Sequence, residues 1–194
     1  MATLSSPLRI GILALQGGYA AHAKMFAEVG AQTREVRVPG DLQGLDALVI
    51  PGGESTTMTL GIEREALAEP LTRFAATHPV LGSCAGLIML DSEHLALMDI
   101  TAQRNAFGRQ IHSFEAPLQV AGLSGGPLRA IFIRAPWIER AGSGVEVLAE
   151  LDGHPVAARE GNIWAVAFHP ELGQDTRLHE LFAAAASGRG QADS

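Results

Sequence analysis

The first half of the chain alternates short, unbroken apolar runs with stretches whose apolar residues recur at helical spacing. Leu8-Arg9-Ile10-Gly11-Ile12-Leu13-Ala14-Leu15 is the first run. Continuous apolarity over so short a length suits a strand covered on both faces, as in a parallel sheet. Gln16-Gly17-Gly18 interrupts it. Tyr19, Ala23, Phe26 and Ala27 then share one stripe of a helix predicted over Tyr19 to Val29, which Gly30 ends. Thr33 to Val38 reads as a second strand, stopped by Pro39-Gly40, and Ala47-Leu48-Val49-Ile50 as a third. The third runs into Pro51-Gly52-Gly53-Glu54-Ser55-Thr56-Thr57, whose Ser/Thr group can cap a helix to about Ile62. A further helix is predicted over Glu65 to Thr77. Val80-Leu81 ends a short buried strand, and Ala85 to Leu90 form the apolar first turns of the next helix.

After Asp91 the texture changes to short β-branched or alternating runs between Gly, Pro and polar turns. Asp99 to Gln103, Gln110 to Phe114, Ala116 to Val120, Arg129 to Ile133, Val145 to Glu150 and Val156 to Arg159 read as antiparallel strands. Glu160-Gly161-Asn162 reads as a hairpin turn into a strand over Ile163 to Phe168. A final helix spans about Asp175 to Ala186, and Ser187 to Ser194 reads as a flexible tail. Strand and helix alternate with short connections. The expected architecture is α/β: a mostly parallel sheet with helices on both faces plus added antiparallel strands, in one domain spanning residues 1–194.

Composition narrows the function classes. Of the 194 residues, 47% are hydrophobic and 18% charged, as in a globular chain. The net charge of -7, without a Lys/Arg cluster, argues against a nucleic-acid partner. No apolar run reaches the roughly 18 residues of a membrane span, and the polar start, Met1 to Pro7, lacks the features of a signal peptide. A single cysteine forms no internal disulfide. The expected location is the cytoplasm.

That cysteine lies in Gly82-Ser83-Cys84-Ala85-Gly86, between the Val80-Leu81 strand and the helix that follows. A nucleophile on a sharp strand-to-helix turn needs small neighbours two residues away on each side. The turn lifts the sulfur out of the sheet and aims the first free helix N–H groups at the reacting centre. It also favours thiolate through the helix dipole. The bland alternative is a small buried core residue. A cysteine nucleophile also needs a base and an orienting group. Six of the seven histidines (His22, His78, His94, His112, His154 and His179) carry no nearby signal, and for each the expectation is a surface or structural role. His169 ends an apolar strand, with Glu171 two residues on. In extended chain the two side chains share a side, so the carboxylate can reach the imidazole. The loops Gln16-Gly17-Gly18, Pro51-Gly52-Gly53 and Gly82 to Gly86 fall at carboxyl ends of strands, where open α/β sheets collect reactive groups. None has the glycine spacing of a phosphate-binding loop.

Together these segments resemble the class I glutamine amidotransferases, which carry a Cys-His-Glu triad on a flavodoxin-like, three-layer sheet. Within that family the chain is similar to the glutaminase subunits of pyridoxal 5′-phosphate synthases. The resemblance rests on Gly11 to Gly17, Pro51 to Met58, Gly82 to Leu87, Arg104 to Gln110 with Ser113-Phe114-Glu115, Phe132 to Pro136, and Phe168 to Leu172. Ala21 precedes His22 where that branch usually has an acidic residue, Ser83 stands where it often has threonine, and Ser92 to Met98 is shorter than usual. The resemblance implies hydrolysis of L-glutamine to glutamate and ammonia with Cys84, His169 and Glu171 as catalytic residues. It implies an oxyanion hole from the N–H groups of Gly53 and Ala85, and a glutamine pocket lined by Gly53, Glu54, Ser55, Arg104, Ile133 and Arg134. The implied partner is a β/α-barrel synthase subunit in a large hetero-oligomer; no cofactor or metal is implied. Gln16 is expected at the partner contact because its loop lies at the same carboxyl edge of the sheet as Pro51-Gly52-Gly53. Open alternatives are an amidotransferase subunit of another pathway such as histidine biosynthesis, a stand-alone cysteine hydrolase or peptidase, and a non-catalytic binding subunit.

Overall fold

The computed structural model describes residues 7–108 and 113–188. Part of the expected tail and part of the strand expected over Gln110 to Phe114 lie outside the described residues, as do Arg109 and Gln110. The first strand, β1 (Arg9–Leu13), is followed by α1 (Tyr19–Glu28), β2 (Gln32–Val36), β3 (Ala47–Ile50), α2 (Ser55–Arg64), α3 (Ala68–Ala75), β4 (Val80–Ser83) and α4 (Ala85–Leu90). Then come β5 (Ile100–Gln103), β6 (Ser113–Leu118), β7 (Leu128–Ile133), β8 (Trp137–Ala141), β9 (Glu146–Leu151), β10 (His154–Glu160), β11 (Ile163–Val166) and α5 (Arg177–Ala186).

A seven-stranded sheet in the order β2-β1-β3-β4-β11-β10-β9 forms the centre. The first five strands of that order run parallel, and β10 and β9 add antiparallel pairs at one edge. β3, β4 and β11 are buried along their whole length, as expected for strands covered on both faces. Helices cover both faces: α1 packs against α5, and α2 against α4. Two separate antiparallel pairs, β5–β8 and β6–β7, lie beside this sandwich. Phe132 of β7 joins one of them to the core. Its ring stacks on Phe114 of β6 at 4.8 Å between centroids and meets Phe168, two residues past β11, edge-on at 5.8 Å. Among the described residues no helix is long and apolar enough to cross a membrane.

Several boundaries depart from the sequence pattern for local reasons. Pro39 to Leu42 form a 3-10 turn rather than a bare stop. The cap of α2 is Glu54 and not the Ser/Thr group. Its carboxylate accepts from the N–H groups of Thr56 and Thr57, at 3.0 and 2.8 Å. Ala66 sits at φ 52 and breaks the helix expected from Glu65, which leaves Glu65 as the C-cap of α2 and starts α3 at Ala68. The runs expected on either side of Glu115 belong to one strand, β6, which pairs with β7 from Ser113 to Leu118. The Gly161-Asn162 hairpin joins β10 to β11 as expected, with Gly161 at φ 58. β8 has no counterpart in the sequence reading, because its last three residues are exposed and only Ile138 is buried in it.

The elbow between β4 and α4 depends on main chain packed against main chain. A Cβ at Gly86 would overlap the carbonyl oxygen of Ile50 in β3, and one at Gly82 would meet the Gly86 carbonyl at 2.6 Å. Gly40 faces open space. Gly86→Ala is therefore expected to destabilise the protein by about 3 kcal/mol, since backbone of a central strand cannot move aside. Gly40→Ala is expected to stay within about 0.5 kcal/mol of wild type. Urea midpoints of the two variants check the contrast.

Candidate active site

Because β1, β3, β4 and β11 are parallel, the loops after them emerge on one edge of the sheet. β4 lies between β3 and β11, which places Cys84 between the Pro51 to Glu54 loop and His169. Cys84 caps α4 at φ 51, a left-handed conformation that costs a non-glycine residue free energy and is held by the packing around it. Its N–H donates to Val166 O of β11 at 2.8 Å, and its thiol lies 3.8 Å from Ile133 O at the end of β7. The His169 N–H donates to Ile131 O at 2.8 Å, so β7 anchors both sides of the Cys84–His169 pair.

Pro170 to Leu172 form a 3-10 turn, not the extended segment expected from the His-Pro-Glu spacing. The tight turn nevertheless brings Glu171 Oε1 to 2.8 Å from His169 Nδ1. Burial alone would pull the His169 pKa down. Its hydrogen bonds with Cys84 and Glu171, and their charges, reverse that and raise it to about 10. Burial favours a neutral Glu171, but the His169 hydrogen bond and the neighbouring imidazoles hold its carboxyl below the usual range. At neutral pH the pair is imidazolium and carboxylate.

A cavity of about 290 Å³ opens beside Cys84 and His169. All six residues expected in a glutamine pocket line it: Gly53, Glu54, Ser55, Arg104, Ile133 and Arg134. Ala85 also faces it, as do Ile88, Asn105 and Pro136, which the sequence did not single out. Asn105 and Arg134 have φ of 48 and 43, and the Ala106 N–H donates to Ala135 O at 3.0 Å, tying the two walls together. The hydrogen bonds from Thr57, foremost its backbone N–H, hold the Glu54 carboxyl down at about 2. Arg104 approaches that carboxylate at 3.6 Å, with both side chains about half exposed. One wall thus presents a fixed anion beside a cation.

Gln16, expected at a contact edge, is half-exposed and holds the neighbouring loop. Its side-chain amide reads both backbone groups of Glu54: Oε1 accepts from the Glu54 N–H at 3.0 Å, and Nε2 donates to the Glu54 carbonyl at 3.1 Å. The Gly18 N–H donates to Gly52 O at 3.0 Å, and Gly53 lies at φ 156, open to glycine. The loop after β1 therefore clamps the loop that carries Gly53. Two histidines without a sequence signal also belong to the neighbourhood. His22 and His179 are fully buried next to Glu171 and not at the surface. They come from α1 and α5, 157 positions apart, which no local spacing reveals.

The chain matches the SNO glutamine amidotransferase family over residues 12–187. It is 52% identical over 189 residues to the pyridoxal 5′-phosphate synthase subunit PdxT of Salinispora arenicola, covering 90% of this chain and 94% of that one. It is 50% identical over 187 residues to the protein of the same name from Mycobacterium leprae, again covering 90% and 94%. A solved glutamine amidotransferase structure superposes with a TM-score of 0.86 at 40% identity, over 92% of this chain and 98% of that one. PurLQS from Thermotoga maritima, at 15% identity and a TM-score of 0.74 over 93% of this chain and 99% of that one, shares the fold.

Two predictions follow from the charges in this cavity. The His169 imidazole is expected to stay cationic through neutral pH and to titrate near 10. Glu171→Gln removes a supporting anion and should lower that titration point, as histidine NMR would show. Glu54 has a folded pKa depressed from 4.5 to about 2, so its cap contributes stability that is present above pH 4.5 and is lost as pH falls through about 2. Glu54→Ala should therefore be less stable than wild type at neutral pH, and the gap in urea midpoint should narrow on acidification below 4.5.

Proposed function

The chain belongs to the SNO glutamine amidotransferase family, and we propose that it hydrolyses L-glutamine at Cys84 and passes the ammonia to a pyridoxal 5′-phosphate synthase subunit. The observation that carries this reading is one cavity holding Cys84, a cationic His169 backed by Glu171, and a wall of paired charge. A zwitterionic amino acid fits that wall: an arginine, Arg104 or Arg134, suits the α-carboxylate, and the Glu54 carboxylate suits the ammonium. The side-chain amide then extends towards Cys84.

In this reading the proton that the Cys84 thiol gives up resides on His169, and the thiolate attacks the amide carbon. The N–H groups of Gly53 and Ala85 receive the oxyanion. His169 delivers its proton to the departing nitrogen, which leaves as ammonia, and a thioester remains on Cys84. His169, now neutral, takes a proton from water as the water attacks the thioester, releasing glutamate. Glu171 holds the imidazole tautomer and stabilises its cation without being protonated itself.

Ammonia set free in water at neutral pH becomes ammonium, a poor nucleophile, so the reaction is productive when a synthase takes the ammonia directly. The relatives at about half identity are named as subunits of a pyridoxal 5′-phosphate synthase, which supports such a synthase as the partner in this reading. The larger assembly and its β/α-barrel subunit belong to the same proposal, as does a cytoplasmic location. The Gln16 clamp supports a docking effect at this edge. A partner that covers Gln16-Gly17-Gly18 bears on a side chain that holds both backbone groups of Glu54, next to Gly53. It can therefore shift the oxyanion loop by the difference in its affinity for two loop states.

Steady-state glutamine hydrolysis, with and without the synthase subunit, tests the reading. Cys84→Ala is expected to lose roughly ten-thousand-fold or more in kcat, with His169→Asn close behind and Glu171→Gln milder. The partner should raise the wild-type rate in a saturable way, and Gln16→Ala should blunt that gain. Glutamine turnover by Cys84→Ala would remove the nucleophile assignment. Equal rates with and without partner would leave a stand-alone hydrolase.

A further inference from the structure

Glu171 uses one carboxylate oxygen for His169 and turns the other towards a buried imidazole that the steps above leave unused. His22 Nε2 lies 3.3 Å from Glu171 Oε2 and 3.0 Å from Ser83 Oγ of β4. His22 Nδ1 lies 3.1 Å from Nε2 of His179 on α5. His22, Ser83 and His179 are fully enclosed. Among the described residues, Glu171 Oε2 and His179 Nδ1 have no hydrogen bond of good geometry. The start of α1 enforces the arrangement. Gly18 leaves the Glu171 carboxylate the space that a Cβ would crowd at 3.0 Å from Oε1. One turn on, the His22 N–H donates to Gly18 O, and Phe26 meets the His179 ring edge-on at 4.8 Å.

Charge decides where the protons are. Glu171 is anionic against His169, so an unprotonated His22 Nε2 would aim a lone pair at a carboxylate oxygen. A proton on Nε2 removes that repulsion, with Ser83 Oγ accepting at 3.0 Å. A neutral imidazole has one N–H, so Nδ1 must accept, and His179 Nε2–H is the donor beside it. That leaves His179 Nδ1 as a bare lone pair, which agrees with its lack of a partner. A doubly protonated His22 is disfavoured first by burial, which holds it below its ordinary value. Burial also keeps His179 down at about 3. The groups facing His22 are Ser83 from β4, Glu171 and His169 from the turn after β11, and His179 from α5. A cation on His22 would compete with His169 for the same carboxylate.

We propose that His22 is a positioning residue for glutamine hydrolysis: as a neutral imidazole with its proton on Nε2, shared with Ser83 Oγ, it sets a positive N–H 3.3 Å behind the second oxygen of Glu171 and holds it by charge rather than by a well-aligned hydrogen bond, and His179 sets the tautomer that lets it do so. The proposal rests on the reading of Cys84, His169 and Glu171 given above. Holding Oε2 stops the carboxylate from turning about its own bond, so Oε1 stays aimed at His169 Nδ1 through both proton transfers.

Glutamine hydrolysis with the synthase subunit present and Cys84 alkylation by iodoacetamide across pH test the proposal, together with imidazole nitrogen NMR of the full chain. His22→Phe keeps a ring and removes the donor. Its kcat should fall roughly 10- to 100-fold with KM for glutamine unchanged, and its alkylation profile should shift in pH as His169 loses a fixed counter-ion. His22→Gln restores an N–H donor and should recover part of kcat. Wild-type rates and an unmoved alkylation profile in His22→Phe would overturn the proposal, as would equal losses in the two variants. If His22→Phe does not fold, the wild-type protein still decides. The proposal requires a neutral Nε2–H tautomer at His22 between about pH 6 and about pH 9, and an Nδ1–H tautomer or an imidazolium in that range overturns it. Failure of wild type to hydrolyse glutamine under any condition would remove the functional reading instead, and the tautomer result would stand apart from it.

Discussion

The close approach of main chain at Gly82, Gly86 and Ile50 is the constraint on which the rest of the site depends. Only residues without a Cβ let α4 start hard against β3 and β4, and only that start holds Cys84 at φ 51 with its sulfur at the cavity. Once β4 is fixed between β3 and β11, the neighbours of Cys84 follow from strand order. The Gly53 loop arrives from one side and His169 from the other. The strain of the elbow is carried by a core that is buried along the whole of β3, β4 and β11.

The antiparallel additions complete what the parallel sheet starts. β7 contributes Ile131 O to the His169 backbone and Ile133 O to the Cys84 thiol, and Phe132 between them packs against Phe168. The same ring stacks on Phe114, so the β6–β7 pair is braced by aromatic packing while its other residues face solvent in alternation. The far wall of the cavity comes from the segments around Arg104 and Arg134, tied by the Ala106–Ala135 hydrogen bond.

Electrostatics divide three imidazoles into two kinds. His169, between Cys84 and Glu171, is held cationic, whereas burial keeps His22 and His179 neutral. One buried carboxylate can compensate one buried cation, and a second would cost far more than it returned. Enclosure of His22 and His179 therefore concentrates the negative charge of Glu171 on His169, where the proposed reaction needs a proton donor.

Local pattern sufficed for much of this protein. Continuous apolar runs marked β1, β3 and β11 because strands buried on both faces have no polar alternation. The two glycines around Cys84 marked the elbow because sterics act between residues two apart, and His169 and Glu171 could be paired because side chains two apart share a side in extended chain. The form of that pairing was different, a 3-10 turn after Pro170, because proline at the start of a turn allows a tighter path than a strand. β8 escaped notice because its pattern depends on the partner strand β5 and not on its own composition. The Gln16 clamp on Glu54 and the His22–His179 contact were decided by tertiary structure alone. Those partners are 38 and 157 positions apart, and the contacts exist only once the sheet has set the ends of β1 and β3 side by side and packed α1 against α5. By itself, then, the sequence determined most of the elements, the elbow and the residues that the fold gathers around one cavity. Which imidazole bears the charge was left to burial and distance, which belong to the folded chain.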